Sequence, residues 1–76
     1  MEKLLEILKS LHPRVDFANE TGLVDRGILD SFDVIALVGE MNDLFGVEVD
    51  LEYLEPENFN TVDAMAKLLR KLGATL

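Results

Sequence analysis

The sequence predicts an all-α fold, a small bundle of three longer helices and one short one. Apolar residues recur at three- and four-residue spacing in three separate stretches, each bounded by Pro, Gly or a short polar residue. The one alternating run, Val47 to Val49, has no partner strand to pair with. With 76 residues, no repeat and no low-complexity tract, one domain over residues 1–76 is expected.

The first helix should run from Glu2 to Leu11, with Leu4, Leu5, Ile7, Leu8 and Leu11 along one face. Pro13 disfavours helical geometry at His12 and ends it. His12 is the only histidine, and the last carbonyls of the helix are enough to account for its position. Residues 12–30 show little periodicity, a long stretch for a compact domain. Its scattered apolar residues, Val15, Phe17, Leu23, Val24, Ile28 and Leu29, are expected to pin it across the helices.

The second helix should span Ser31 to Phe45, with Asp30 or Ser31 as N-cap and Gly46 as terminator. Val34, Leu37, Val38, Met41, Leu44 and Phe45 fall on one broad face. Residues 47–49 read as extended loop. Residues 50–59 hold at most a short helix, with Pro56 in its first turn and Glu57 at the positive end of its dipole. The last helix is expected over Thr61–Leu72, capped by Asn60. Asp63 lies near its start and Lys67, Arg70 and Lys71 toward its end, each sign matched to the dipole. Val62, Met65, Ala66, Leu68, Leu69 and Leu72 supply its apolar side.

Composition excludes several classes of function. A chain this short buries only about 60–65% of its unfolded surface, which leaves one thin core and no deep catalytic cleft. The absence of Cys removes thiolate nucleophiles, disulfides and Cys-ligated zinc. No Ser/His/acid constellation is spaced for catalysis, and Asp/Glu pairs such as Asp30/Asp33 or Glu55/Glu57 carry little meaning in so acidic a chain. The segment from Asp50 to Glu57 lacks the pattern of a calcium loop, and no dedicated metal site is expected. No apolar run approaches the ~20 residues that span a bilayer. Glu2 and Glu6 among the first leucines are unlike a secretion signal, so a cytoplasmic protein is expected.

The formal net charge is −8, and its distribution is uneven: thirteen Asp/Glu and one base, Arg26, lie between Val15 and Ala66. Such a middle repels nucleic-acid phosphates and anionic membrane surfaces. It attracts basic protein surfaces, mainly by steering encounter.

The most informative stretch is Gly27-Ile28-Leu29-Asp30-Ser31-Phe32-Asp33, a polar break holding one serine directly before the second helix. Asp-Ser is a common helix start, and the dipeptide alone says no more than that. Ser31 has no base beside it in sequence and no Gly-x-Ser-x-Gly elbow. It is a poor nucleophile for a reaction of this chain and a good acceptor for a group transferred by another enzyme.

The string GILDSFDVIALVGEMNDLFGVEV, Gly27 to Val49, resembles the Asp-Ser-Leu region of acyl carrier proteins. The match takes in the Gly-aliphatic-Leu lead-in, Asp30-Ser31, an apolar residue at Phe32 and the Phe45-Gly46-Val47 ending. Asn60-Thr61-Val62-Asp63-Ala64-Met65 resembles the start of the family's last helix, so the resemblance covers roughly residues 1–73. It implies an acyl-carrier-like bundle that is a monomer and not an enzyme. It further implies a phosphopantetheinyl transferase that uses coenzyme A and Mg²⁺ to place 4′-phosphopantetheine on Ser31 through a phosphodiester, making the chain a phosphoprotein. Asp30 would help to orient the transferase and its metal. The arm's thiol would carry acyl or aminoacyl groups as thioesters to acyltransferases or synthases of lipid, polyketide, peptide or cell-wall-type biosynthesis.

Phe32 and Ile35 lie off the core face, either under the first loop or on a docking surface flanking the arm. Asp33, Glu40, Asp43 and Glu48 would form an acidic rim for partner Lys and Arg. Ala36 stands where fatty-acid carriers usually show an acid, and the segment between Val49 and Thr61 is longer, with Tyr53 and Phe59 in it. These departures point to a stand-alone specialised carrier, similar to D-alanyl or aminoacyl carriers and loaded by an adenylating ligase. The competing expectation is a non-catalytic acidic helical adaptor in which Ser31 is a simple N-cap.

Overall fold

The computed structural model describes residues 2–75. Its helices are α1 (Glu2–Leu11), α2 (Ser31–Phe45), α3 (Pro56–Phe59) and α4 (Val62–Lys71), with a single 3₁₀ turn, Leu51–Tyr53, before α3. Among the described residues there is no strand, and 47–49 is extended loop. The expected all-α bundle of three longer helices and one short one is what the chain forms.

Helix α1 buries Leu4, Ile7 and Leu8 and packs on α2 and α4, while α3 packs on α4. Helix α2 buries Val34, Leu37 and Met41, a narrower stripe than its composition implies. Val38 and Phe45 are only half-buried, and Leu44 stands 49% exposed. A helix of this thin bundle has neighbours over only part of its circumference, so the outer apolar residues of a broad face stay wet. Gly46 ends α2 in the left-handed region at φ 63°, where a side chain is strained.

The cap of α4 differs from expectation. Thr61, not Asn60, caps the helix, and its Oγ1 accepts from the N–H of Ala64 at 2.9 Å. Asn60 belongs to the preceding turn, where its N–H donates to the Pro56 carbonyl, and its side chain is spent on the first loop. Pro56 is the first residue of α3, as its missing N–H allows.

The long connection between α1 and α2 is a structural layer in its own right. Phe17, Leu23 and Leu29 are almost completely buried and join the same core as the helices. Together with Leu4, Leu8, Leu37, Met41, Phe59, Met65 and Leu69 they leave no polar or charged residue buried among the described residues. The loop is held by what it buries. Every buried side-chain N and O atom described has a hydrogen-bond partner.

Two substitutions test this packing. Leu37→Ala should lower unfolding free energy by about 2–5 kcal/mol, as for other fully buried leucines. Gly46→Ala should cost about 1 kcal/mol through backbone strain alone. Urea unfolding followed by helical circular dichroism reads both.

Candidate functional site

The N-terminus of α2 is built by a reciprocal pair of aspartates. Asp30 is the N-cap, in extended conformation, and its Oδ1 accepts from the N–H of Asp33 at 2.8 Å. The Asp33 carboxylate reaches back and accepts from the N–H of Asp30 at 3.3 Å. This is a capping box, and it satisfies two backbone donors that a helix start otherwise leaves to water. The Asp30/Asp33 pair, unremarkable in sequence, is therefore what frames the site.

Ser31 is the first helical residue, not the cap. Its side chain is exposed, and capping is already done by its neighbour. The cap role that the adaptor reading gave Ser31 is corrected by this geometry: Asp30 caps α2.

The His12 N–H closes the end of α1 on the Leu8 carbonyl at 3.0 Å, while its side chain turns to α2. Its Nε2 donates to Asp33 Oδ2 at 2.8 Å, across 21 positions of sequence. That bond joins the end of α1 to the capping box one turn from Ser31. The His12 hydrogen bond holds the Asp33 carboxyl below its ordinary value; partial burial pulls the other way, and the Asp30 N–H adds to the lowering. No local pattern announces the contact, because it depends on how α1 lies against α2.

Beside Ser31 lies an apolar trough of about 260 Å³. Val24 and Leu29 line it from the loop, Val34 and Ile35 from α2, and Leu54 and Phe59 from the α3 side; Asp30, Ser31 and Glu55 are its polar members. The acidic pair Glu55 and Glu57 interact directly: a hydrogen bond and charge repulsion from Glu57 raise the Glu55 carboxyl above its ordinary value.

The other site residues expected from sequence spread along α2. Phe32 is 82% exposed and Ile35 62% exposed, so neither fills the space beneath the first loop. Glu40, Asp43 and Glu48 are exposed, whereas Asp33 is half-buried and engaged by His12 and Asp30. Leu51, at 85% exposure, is a further bare apolar side chain that sequence reading did not single out. Among the described residues no group of three or more His, Cys, Asp or Glu could hold a metal ion. No helix is long and apolar enough to cross a membrane.

Ser31 thus stands exposed at the start of α2 with an apolar trough beside it. A model of the phosphopantetheine attachment site family matches residues 2–69. The chain belongs to this family, the acyl carrier proteins. No curated protein and no solved structure matches it. Members of the family bear covalently attached 4′-phosphopantetheine and act as carriers, not as catalysts. The residues present fit that group: an accessible hydroxyl to receive it, and beside the hydroxyl an apolar surface on which a flexible chain can lie.

The Asp33 link makes the carrier's acid sensitivity predictable in sign. Its carboxyl is lowered from 3.8 by folding, so its contribution is present above that value and is lost as pH falls through the folded value beneath it. The stability difference between the parent and Asp33→Asn should be full at about pH 5, begin to fall as pH approaches 3.8 and keep shrinking below it. Chemical denaturation across pH 5 to ~2 measures this; a difference that grows on acidification contradicts the assignment.

Proposed function

We propose that Ser31 is the residue that receives the arm and that this carrier presents short acyl or aminoacyl groups to successive enzymes. The observation that supports it is the division of labour at the start of α2: Asp30 caps, and Ser31 is left exposed beside the trough. In loading, Ser31 Oγ attacks the pantetheine-bound phosphorus of coenzyme A, the pyrophosphate bond breaks to release 3′,5′-ADP, and the hydroxyl proton passes to a base of the transferase. Asp30 is exposed even while capping, so its carboxylate is accessible to the transferase and its Mg²⁺. Once attached, the arm supplies the thiol that this chain lacks and holds cargo as a thioester.

The chain's own residues supply recognition. Phe32 and Ile35 offer bare apolar surface. Glu40 and Asp43 on α2 and Glu48 just after it are exposed acids that suit basic partner surfaces. Contacts of this kind raise association rates and let partners leave, as a carrier visited by several enzymes needs. Ala36 is exposed on α2 where fatty-acid carriers usually place an acid, which supports a specialised carrier loaded by an acyl- or aminoacyl-adenylating ligase. The trough's modest volume favours small cargo. We place its work in the cytoplasm, in assembly of the lipid, polyketide, peptide or cell-wall type.

Incubation of the pure protein with coenzyme A, Mg²⁺ and a broad-specificity phosphopantetheinyl transferase should add one phosphopantetheinyl group by intact mass. Ser31→Ala should gain none while keeping its helical spectrum. A folded parent that gains nothing would sink the proposal.

Docking has its own test. Ile35→Asp should raise KM for transferase loading on the order of tenfold while kcat changes little, since it removes apolar contact and leaves Ser31 in place. Unchanged KM would remove Ile35 from the docking surface.

A further inference from the structure

Asn60 lies between α3 and α4, far from Ser31 in sequence, yet four hydrogen bonds tie it to the loop that leads into Ser31. Its Oδ1 accepts from the N–H groups of Val24 and Asp25, both at 2.9 Å. Its Nδ2 donates to Asp25 Oδ2 at 3.0 Å. Its backbone carbonyl accepts from the N–H of Leu23 at 3.0 Å. This fork requires a side chain that accepts and donates from one planar group, which an amide does and a carboxylate or hydrocarbon does not.

The loop on the other side of the fork is closed on itself. The Leu29 N–H donates to the Leu23 carbonyl at 2.8 Å, and the Gly27 N–H to the Val24 carbonyl at 3.0 Å, with Gly27 in the left-handed region at φ 75°. Residues 23–29 thus form a compact turn clamped at one end by Asn60. Val24 and Leu29 line the trough from this turn, and Phe59, the neighbour of Asn60, lines it from α3. The chain leaves the clamped turn at Leu29 and reaches Ser31 two residues later. One side chain therefore controls both the spacing of the trough walls and the lead-in to the serine.

Resting on the reading of Ser31 as the attachment point, we propose that Asn60 is a positioning residue for arm transfer. It holds the Leu23–Leu29 turn against α3 and so sets the surface that the transferase meets around Ser31. It touches none of the reacting atoms. A role confined to stability predicts less folded protein but normal loading of whatever is folded; a positioning role predicts impaired loading of fully folded protein.

The test compares the parent with Asn60→Ala, Asn60→Asp, Asp25→Asn and the double variant Asn60→Asp/Asp25→Asn, at a temperature where circular dichroism shows each fully folded. Loading by a phosphopantetheinyl transferase with coenzyme A and Mg²⁺ is followed by intact mass, and hydrogen exchange is read at the Val24 and Asp25 amides. Asn60→Ala should raise KM for loading about tenfold with kcat within about twofold, and speed exchange at both amides. Asn60→Asp should act in the same direction, because the new carboxylate faces that of Asp25 without a donor between them. Adding Asp25→Asn restores a donor from the opposite side and should return loading to within about threefold of the parent. Asp25→Asn alone keeps an acceptor for Asn60 and should load normally.

Folded variants that load with the parent's kinetics would overturn the proposal. So would a double variant whose amide protection recovers while its loading does not. If Asn60→Ala fails to fold, the Asn60→Asp pair decides alone. A parent that takes no arm would defeat the Ser31 reading itself, a result seen in the control and separate from any effect of Asn60.

Discussion

A helix begins with N–H groups that have no partner inside it, and the site of this carrier depends on how α2 meets that deficit. Two aspartates three residues apart answer each other's backbone, Asp30 to Asp33 and Asp33 to Asp30. Because this capping box uses neither of the two residues between them, Ser31 keeps an exposed side chain at the helix start. The same Asp33 carboxylate accepts from His12 and so ties the end of α1 to the frame. Local electrostatics, helix packing and the accessibility of the serine meet in one carboxylate.

The thinness of the core explains the unusual part played by the first loop. A chain of 76 residues cannot bury enough apolar surface with three short helices alone. Phe17, Leu23 and Leu29 supply the missing layer. Burial anchors the loop, and the Asn60 fork gives its backbone the partners that a buried connection must find. The loop that completes the core also lines the trough beside Ser31.

Charge and exposure divide the surface by task. All the bases but Arg26 lie toward the two ends of the chain, and thirteen of the fifteen acids lie in the middle that includes α2. Phe32 and Ile35 are bare within that acidic stretch, a combination suited to brief contact with basic partners and poorly suited to a permanent interface. The basic end has a structural use as well: Lys71 Nζ lies 5.3 Å from the centre of the Tyr53 ring and joins the end of α4 to the 3₁₀ turn.

Much was legible in the residues themselves. The span of α2, the stop at Gly46, the start of α3 at Pro56 and the polarity of α4 follow from side-chain period, φ preference and dipole, which act over a few neighbouring residues. Ser31 stood out for the same reason, since the start of a helix and the residues around it are local facts. What lay beyond reach were choices between near-equivalent caps and contacts distant in sequence. Asp30 and Ser31 both qualify as caps, as do Asn60 and Thr61. The tertiary structure selects Thr61 because Asn60 is drawn into bonds with Val24 and Asp25, 36 and 35 positions away. It pairs His12 with Asp33 because α1 lies against α2. Periodicity assigns a residue to a face, but only the packing of that face decides which polar groups meet across it and which apolar residues are left in water.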